Sequence, residues 1–221
     1  MTRPGGAYAQ DYLEAIYEMA EENIPTVQAE VARWMGVSAA SVSEAVKRLQ
    51  QKGLIDKDGR DLRFTERGEE AARRSVRRHR LAERFLINVI GLPWHRAHEE
   101  ATAWERVISD EVEERLTDIL DDPATCPHGN PIPGSRHTVD QSGLRPLQGL
   151  PPGSRARLER LTEDLELDAE VMRYFEDSGL MPGAQVLVID VGPDGTMTLQ
   201  VEGKSVGLGV ELTDNLWVSV A

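Results

Sequence analysis

The chain has 221 residues, of which 40% are hydrophobic and 29% are charged, so it can form roughly two or three small domains with cores of their own. The sequence contains no apolar run of the roughly 18 residues that a transmembrane helix needs, and no membrane partner is expected. The first ten residues lack the apolar core of a signal peptide, and the single cysteine excludes an internal disulfide. These features predict a cytoplasmic protein.

The net charge of −13 argues at first sight against a nucleic-acid partner. Its distribution is uneven, because residues 1–80 hold 14 Lys and Arg against 13 Asp and Glu, whereas the remainder holds 11 against 25. A nearly neutral N-terminal segment still permits DNA binding through a local basic patch. The acidic remainder is typical of proteins that bind hard cations.

Three helices are predicted in the N-terminal part. Residues 8–22 place apolar side chains at helical spacing, and residues 26–36 form a short helix that Thr26 can cap and that ends at Gly36. Ser38 can cap a third helix that ends at Gly53. Two helices separated by a few residues, the first ending at glycine, are typical of a helix-turn-helix.

A β-hairpin is predicted directly after these helices. The sequence LIDKDGRDLRFT gives two short strands joined at Asp58-Gly59, a dipeptide favoured in tight turns. Thr65 then caps a long helix that extends to Gly91. A helix-turn-helix followed by a hairpin predicts a winged helix, the fold of many DNA-binding domains.

The second helix of such a unit enters the major groove of double-stranded DNA with its N-terminal residues. Those residues are small, hydroxylated or acidic, namely Ser38, Ala39, Ala40, Ser41, Ser43 and Glu44. Contacts to the phosphates would come from Lys47, Arg48, Lys52, Arg60 and Arg63. Because no arginine is placed to grip guanine, we expect recognition largely through DNA shape. The alternative is a winged helix that docks a protein.

Ligand-type side chains follow at helical spacing in residues 76–114. His79 and Glu83 are four residues apart and share one helix face. After a break at residues 91–93, the side chains of His98, Thr102 and Glu105 line one face of the next helix. Imidazoles and carboxylates together predict a site for a first-row divalent metal.

The last third of the chain differs from the rest. Residues 121–142 are rich in proline and glycine and predict a linker. From residue 143 onward, a short helix and alternating β-branched segments predict a small β-barrel. The fold class is therefore mainly α with a small β domain: a winged helix-turn-helix over 1–75, a helical domain over 76–142 and the barrel over 143–221.

Three stretches carry a family resemblance: VRRHRLAERFL, HEEATAWERVISDEVEERL and CPHGNPIPG. In this order, after a winged helix, they resemble the diphtheria toxin repressor family of metal-dependent transcriptional repressors. The resemblance implies a homodimer that binds palindromic operators when it is loaded with iron or manganese and so controls genes of metal homeostasis. It also implies that the middle domain mediates dimerisation and that the C-terminal domain is SH3-like, of the FeoA type.

The resemblance further implies two metal sites per chain. The ancillary site would use His79, Glu83 and His98. A Cys-x-His pair completes this site in the streptococcal manganese regulators, together with a carboxylate from the third domain. The corresponding residues are Cys126 and His128, with Asp168 as the nearest carboxylate and Glu170 close behind. Zn²⁺, Co²⁺ or Ni²⁺ are expected surrogates at such sites.

The primary, regulatory site would use Asp11, Glu14, Thr102 and Glu105. Thr102 stands where the family has cysteine or glutamate, and Arg106 stands where it has histidine. A guanidinium cannot ligate a metal, so Arg106 could instead pair with Glu105 or Asp11 and occupy part of the site.

The oxygen donors of the primary site favour Mn²⁺ over Fe²⁺. Metal bridging the winged helix to the dimerisation helices would fix the spacing of the recognition helices. Two alternatives stay open: an iron-dependent regulator of the same family, and a constitutive DNA-binding protein with a structural zinc. An enzyme is not expected, because His98-Glu99-Glu100 lacks the second histidine of the HExxH pattern.

Overall fold

The computed structural model describes residues 8–220. The chain divides into two compact units, with the boundary between His79 and Arg80. No helix among the described residues has the length and apolar character needed to cross a membrane.

The first unit is a winged helix, as the sequence predicted. Its elements are α1 (Ala9–Glu21), α2 (Gln28–Met35), α3 (Ala39–Gln51), β1 (Ile55–Asp58), β2 (Asp61–Phe64) and the first part of α4 (Glu66–Phe85). The strands pair antiparallel with Ile55 opposite Phe64. The apolar faces of all three helices and the hairpin share one core, which includes Ile16, Val31, Leu49 and Leu62, none of them more than 2% exposed.

The predicted helix boundaries of this unit have clear physical causes. Gly36 ends α2 with a positive φ of 63°, which a residue without a Cβ adopts readily. The Ser38 hydroxyl accepts a hydrogen bond from the Ser41 amide at 3.1 Å, and Thr65 accepts one from the Gly68 amide at 3.1 Å. Thr26 differs, because its hydroxyl donates to the Leu62 carbonyl at 3.0 Å instead of capping α2.

The helical part of the second unit starts with the end of α4 and continues with a π-helical turn (Leu86–Ile90), a 3₁₀ turn (Trp94–Arg96), α5 (Ala97–Trp104) and α6 (Asp110–Ile119). Leu81, Ala101 and Leu116 belong to its core. The helix after the break is shorter than its ligand spacing suggested, since α5 ends at Trp104. Ser109 then starts α6 by accepting a hydrogen bond from the Val112 amide at 3.3 Å.

The C-terminal part is a six-stranded antiparallel sheet with three short helices. Its elements are β3 (Arg145–Pro146), β4 (Arg155–Leu161), α7 (Glu163–Glu166), α8 (Ala169–Ser178), β5 (Gln185–Val191), β6 (Met197–Val201), β7 (Lys204–Leu208), α9 (Val210–Thr213) and β8 (Leu216–Val220). The strand order is β3-β8-β4-β5-β6-β7. Alternate residues of each strand point into one core, as in the pair Leu158 and Val218.

The predicted linker is a packed loop in its first half. Residues 126–130, which belong to the loop that joins α6 to β3, are all buried. Gly129 has a φ of 92°, and a Cβ at this position would lie 2.0 Å from the Glu159 carbonyl oxygen. Glycine therefore lets this loop lie directly against β4.

Candidate metal centre and DNA-binding face

Four buried side chains of the second unit meet at one point. Glu83 lies near the end of α4, His98 in the first turn of α5, His128 in the loop after α6 and Glu166 in α7. Nδ1 of His98 lies 3.4 Å from Oε1 of Glu83 and 3.2 Å from Oε2 of Glu166. Nδ1 of His128 lies 3.4 Å and 2.8 Å from the same two oxygens. Two imidazole nitrogens therefore face the same pair of carboxylate oxygens.

Cys126 and His128 are held in place by backbone contacts of their loop. Nε of Arg84 donates to the Thr125 carbonyl at 2.7 Å, and Nη2 donates to the Cys126 carbonyl at 2.9 Å. The Leu161 amide in β4 donates to the His128 carbonyl at 3.0 Å. Cys126 and His128 are both fully buried, and the thiol, one imidazole nitrogen and a Glu83 oxygen lie within 4.8 Å of one another.

The C-terminal domain is docked on the helical domain beside this cluster. Nε1 of Trp94 donates to the Pro127 carbonyl at 3.2 Å, and its ring meets the His128 ring edge-on with centroids 4.8 Å apart. Glu176 on α8 accepts the backbone N–H groups of Trp94 and His95, both at 3.2 Å, and contacts Nδ1 of His95 at 2.5 Å. Burial raises the pKa of Glu176, but these hydrogen bonds outweigh it and hold the pKa below its ordinary value.

The carboxylates that the C-terminal domain brings to the cluster are Glu163 and Glu166. They replace the residues expected from the sequence. Asp168 is instead the N-cap of α8, where its carboxylate accepts the amides of Glu170 at 3.0 Å and Val171 at 3.2 Å. Glu170 is exposed. The signal for Glu163 and Glu166 was their spacing of three on a short helix after a buried strand.

A buried ion pair supports the same corner of the cluster. Nη2 of Arg80 lies 2.7 Å from Oε1 of Glu163, and Nε donates to the same oxygen at 3.1 Å. Arg80 also donates to the Pro131 carbonyl. The guanidinium of Arg80 is 1% exposed, so its positive charge offsets one of the buried carboxylates.

The protonation of the cluster is governed by its burial and its carboxylates. Burial, with the Glu83 charge adding to it, raises the pKa of the Cys126 thiol to about 11. Burial alone lowers the pKa of His128, but the charges of Glu166 and Glu83 outweigh burial and place that pKa well above its ordinary value. In the metal-free cluster, a proton on His128 therefore offsets part of the negative charge of Glu83 and Glu166.

These donors fit a divalent transition-metal ion. Both ring nitrogens of His128 and Oε2 of Glu166 are buried, and Nδ1 of His128 lies 2.8 Å from Oε2 of Glu166. Tetrahedral coordination at about 2.0–2.1 Å would place ligand atoms about 3.3 Å apart, close to the four N–O distances of 2.8–3.4 Å. Nitrogen, oxygen and sulfur donors of this kind suit Zn²⁺, Co²⁺ and Fe²⁺.

The residues expected at the primary site are divided between the units. Asp11 and Glu14 lie on α1 of the first unit, each 4% exposed. Oδ2 of Asp11 accepts the Tyr8 amide at 2.8 Å. Glu105, 1% exposed, follows the last residue of α5 in the second unit.

Two further positions of that site belong to the second unit. Thr102 is partly buried, and its hydroxyl donates to the His98 carbonyl at 2.9 Å. The side chain of Arg106 is exposed in the turn after α5. His79, expected at the ancillary site, belongs to the first unit and lies on α4 one turn before Glu83.

The expected DNA-contacting residues form an exposed face of the first unit. At the start of α3, Ser38, Ala39, Ala40, Ser41 and Glu44 are exposed and Ser43 is half-buried. Lys47 and Arg48 follow on the same helix, while Arg60 and Arg63 are exposed on the hairpin. Glu44 lies 3.7 Å from Arg48, and Asp58 lies 2.7 Å from Arg63.

A winged helix followed by a buried cluster of metal-ligand side chains defines a metal-responsive DNA-binding protein. Three family profiles match the chain. That of the iron dependent repressor N-terminal DNA binding domain matches residues 6–61, that of the iron dependent repressor metal binding and dimerisation domain matches 65–134, and that of the FeoA domain matches 145–220.

Individual proteins give the same result. The iron-dependent repressor IdeR of Mycobacterium tuberculosis is 39% identical over 87% of both chains. The diphtheria toxin repressor of Corynebacterium glutamicum is 40% identical over 93% of this chain and 91% of its own. A manganese-dependent transcriptional repressor in complex with manganese superimposes with a TM-score of 0.84 and 31% identity, over 97% of this chain and all of the other. The chain therefore belongs to the diphtheria toxin repressor family of iron-dependent repressors, as the sequence analysis predicted.

Proposed function

We propose that this protein is a transcriptional repressor that binds palindromic operators as a homodimer when it is loaded with Mn²⁺ or Fe²⁺. The buried cluster around His98 and His128 carries the proposal, because four chain segments bring ligand-type atoms together there. The two family profiles for DNA binding and for metal binding with dimerisation support it. The named relatives are described as iron-dependent or manganese-dependent repressors.

The cluster is proposed as the ancillary site. Its ligands would be drawn from Glu83, His98, Cys126, His128 and Glu166, of which an ion such as Zn²⁺ takes four. His79, in the preceding turn of α4, is a further candidate ligand. Glu163 would balance Arg80 and lie at the edge of the site. A bound ion would replace the protons on Cys126 and His128 and fix the C-terminal domain to the helical domain.

The primary site is proposed to use Asp11, Glu14 and Glu105, with Thr102 as a further oxygen donor. The three carboxylates are at most 4% exposed, and carboxylate oxygens are ligands that hard divalent cations prefer. Oxygen donors of this kind suit Mn²⁺ better than softer ions. Metal bound at this site would favour the DNA-competent form of the dimer and so shift the population toward that form.

A second copy of the chain is proposed to cover the apolar side of the helical domain. Several large apolar side chains are exposed there, namely Val89, Ile90, Trp104, Val107, Val112 and Ile119. Val107, at 81%, is the most exposed of them, and exposed apolar patches mark interaction surfaces. The dimerisation profile covers these residues. Two recognition helices would then meet successive major grooves, roughly 34 Å apart.

Operator binding with and without metal tests the function. The Mn²⁺-loaded protein first selects duplexes from a random library, and fluorescence anisotropy then gives the affinity for the selected duplex with Mn²⁺, with Fe²⁺ and after chelation. We expect affinity to fall at least tenfold on chelation. Equal affinity after chelation would contradict the proposal. If zinc also survived chelation, the result would favour a constitutive DNA-binding protein with a structural zinc.

A further inference from the structure

We propose that Asn130, oriented by Arg160, restricts Glu166 to a single ligand oxygen and thereby sets which ions the ancillary cluster accepts. The inference rests on the proposed role of that cluster as a metal site. It assigns a positioning role to two residues that are not themselves ligands.

Asn130 holds the oxygen of Glu166 that points away from the imidazoles. Its Nδ2 donates to Oε1 of Glu166 at 2.9 Å, while Oε2 is the oxygen near Nδ1 of His98 and Nδ1 of His128. Asn130 is fully buried, so water does not compete for this hydrogen bond. The two oxygens of Glu166 thus have different partners.

Arg160 determines which end of the Asn130 amide faces Glu166. Nη1 of Arg160 donates to Oδ1 of Asn130 at 2.9 Å. A guanidinium has donors but no acceptor, so the amide oxygen must face it and the amide nitrogen must face the carboxylate. Arg160 is 4% exposed and lies over the Trp217 ring, 5.1 Å from its centroid, which limits its movement.

The backbone holds this series of contacts in register. The Cys126 amide donates to the Asn130 carbonyl at 2.8 Å, which closes the turn that carries Cys126 and His128. Gly129 lets the turn lie against β4 next to Arg160. The position of Asn130 is therefore fixed on both sides.

The consequence concerns coordination number. A carboxylate that rotates to bind with both oxygens adds a ligand atom and suits ions that prefer six ligands, such as Mn²⁺. A carboxylate held to one oxygen keeps the number of ligands low and suits Zn²⁺ and Co²⁺, which accept four ligands. Asn130 therefore favours four-coordinate ions at the cluster, in contrast to the oxygen donors proposed for the primary site.

Cobalt absorption of the full-length protein tests the inference. Four-coordinate Co²⁺ absorbs visible light much more strongly than six-coordinate Co²⁺. Because the chain has one cysteine, a thiolate-to-cobalt band reports the Cys126 cluster alone. We expect the wild type to show both the thiolate band and strong visible bands.

Two variants remove the contact in different ways. Asn130→Ala deletes the amide, whereas Asn130→Asp keeps its volume and the contact with Arg160 but loses the donor to Glu166. In both we expect weaker visible bands, Co²⁺ affinity lowered about 10–100-fold, and affinity for Mn²⁺ relative to Co²⁺ increased. Asn215→Ala, which removes a half-buried amide of the same compact unit, should match the wild type.

A double variant separates positioning from folding. If Asn130 acts through Glu166, Asn130→Ala should change Co²⁺ affinity less than twofold in a Glu166→Ala background. A full effect in that background would overturn the inference, as would wild-type spectra and wild-type affinities in both Asn130 variants. A wild type without the thiolate band would instead overturn the proposed metal site itself.

Discussion

The two groups of candidate ligands differ in how the chain supplies them. Except for His79, the candidate ligands around His98 and His128 lie within one compact unit, where backbone hydrogen bonds and a buried ion pair support them. Asp11 and Glu14 belong to a different unit from Glu105, and these donors are all carboxylates. A site assembled within one unit can hold an ion as part of the fold. If Asp11, Glu14 and Glu105 bind metal as proposed, that binding would be coupled to operator binding.

The buried pair Arg80–Glu163 gives the largest expected effect. Glu163→Ala leaves the Arg80 guanidinium buried without this carboxylate, and we expect the free energy of unfolding of the metal-free protein to fall by about 3–5 kcal/mol. Asp164→Ala alters an exposed neighbour in the same short helix and should change it by less than about 0.5 kcal/mol. Urea denaturation followed by circular dichroism measures both. Equal stabilities would show that the cluster does not depend on this pair.

Glu105 tests the divided site. Glu105→Gln should reduce the Mn²⁺-dependent gain in operator affinity by about 5–150-fold, the usual range of coupling between two sites. The thiolate-to-cobalt band should persist, because Cys126 is untouched. Glu99→Ala, an exposed position of the same helix, is the matched control for anisotropy titrations. If Glu105→Gln lost both the Mn²⁺-dependent gain in operator affinity and the thiolate-to-cobalt band, the result would argue against two independent sites.

His128 tests the cluster itself. Zn²⁺ at about 100 times its dissociation constant should raise the free energy of unfolding by about 2.7 kcal/mol. His128→Ala should abolish most of this gain, whereas His137→Ala, at an exposed histidine, should retain it. Thermal unfolding with and without Zn²⁺ provides the measurement. Full stabilisation of the His128→Ala variant by Zn²⁺ would show that the ion binds elsewhere.

The smallest expected effect is the dependence of metal affinity on pH, which distinguishes the Cys126 cluster from the all-carboxylate set. Because the pKa of Cys126 is about 11 and that of His128 is raised, both groups carry protons near neutral pH and must lose them to bind an ion. Affinity of the cluster should therefore rise with pH, by about tenfold per pH unit for each proton displaced. Calorimetry in buffers of different ionisation enthalpy counts the protons. Cys126→Ser should release about one fewer proton.

The winged helix shows how much local sequence can predict. Gly36, Ser38 and Thr65 act within a few residues of their own positions, so their effects could be inferred before the tertiary fold was known. The ligand types on α4 and α5 were likewise recognisable from helical spacing. The prediction that Thr26 caps α2 was wrong, because its hydroxyl donates to the carbonyl of Leu62, a residue 36 positions away.

Local sequence does not show which carboxylates of the C-terminal domain lie beside the imidazoles. Asp168 and Glu170 were predicted as ligands from their position along the chain. The Asp168 carboxylate instead accepts hydrogen bonds as the N-cap of α8. Glu166 reaches the imidazoles because α7 follows β4, which packs against the Cys126 loop. Spacing along the chain does not report such a contact, since it depends on how two distant segments pack.

The sequence by itself determined the elements of the winged helix, the family, and the ligand types at His79, Glu83, His98, Cys126 and His128. These features depend on periodicity, capping and motif order, which are local. Only the tertiary structure decided that Glu163 and Glu166 lie beside His98 while Asp168 caps α8. The same holds for the packing of residues 126–130 and for the contacts of Asn130 with Glu166 and Arg160. Each of these depends on contacts between segments far apart in the chain, whose energies arise only when the core excludes water.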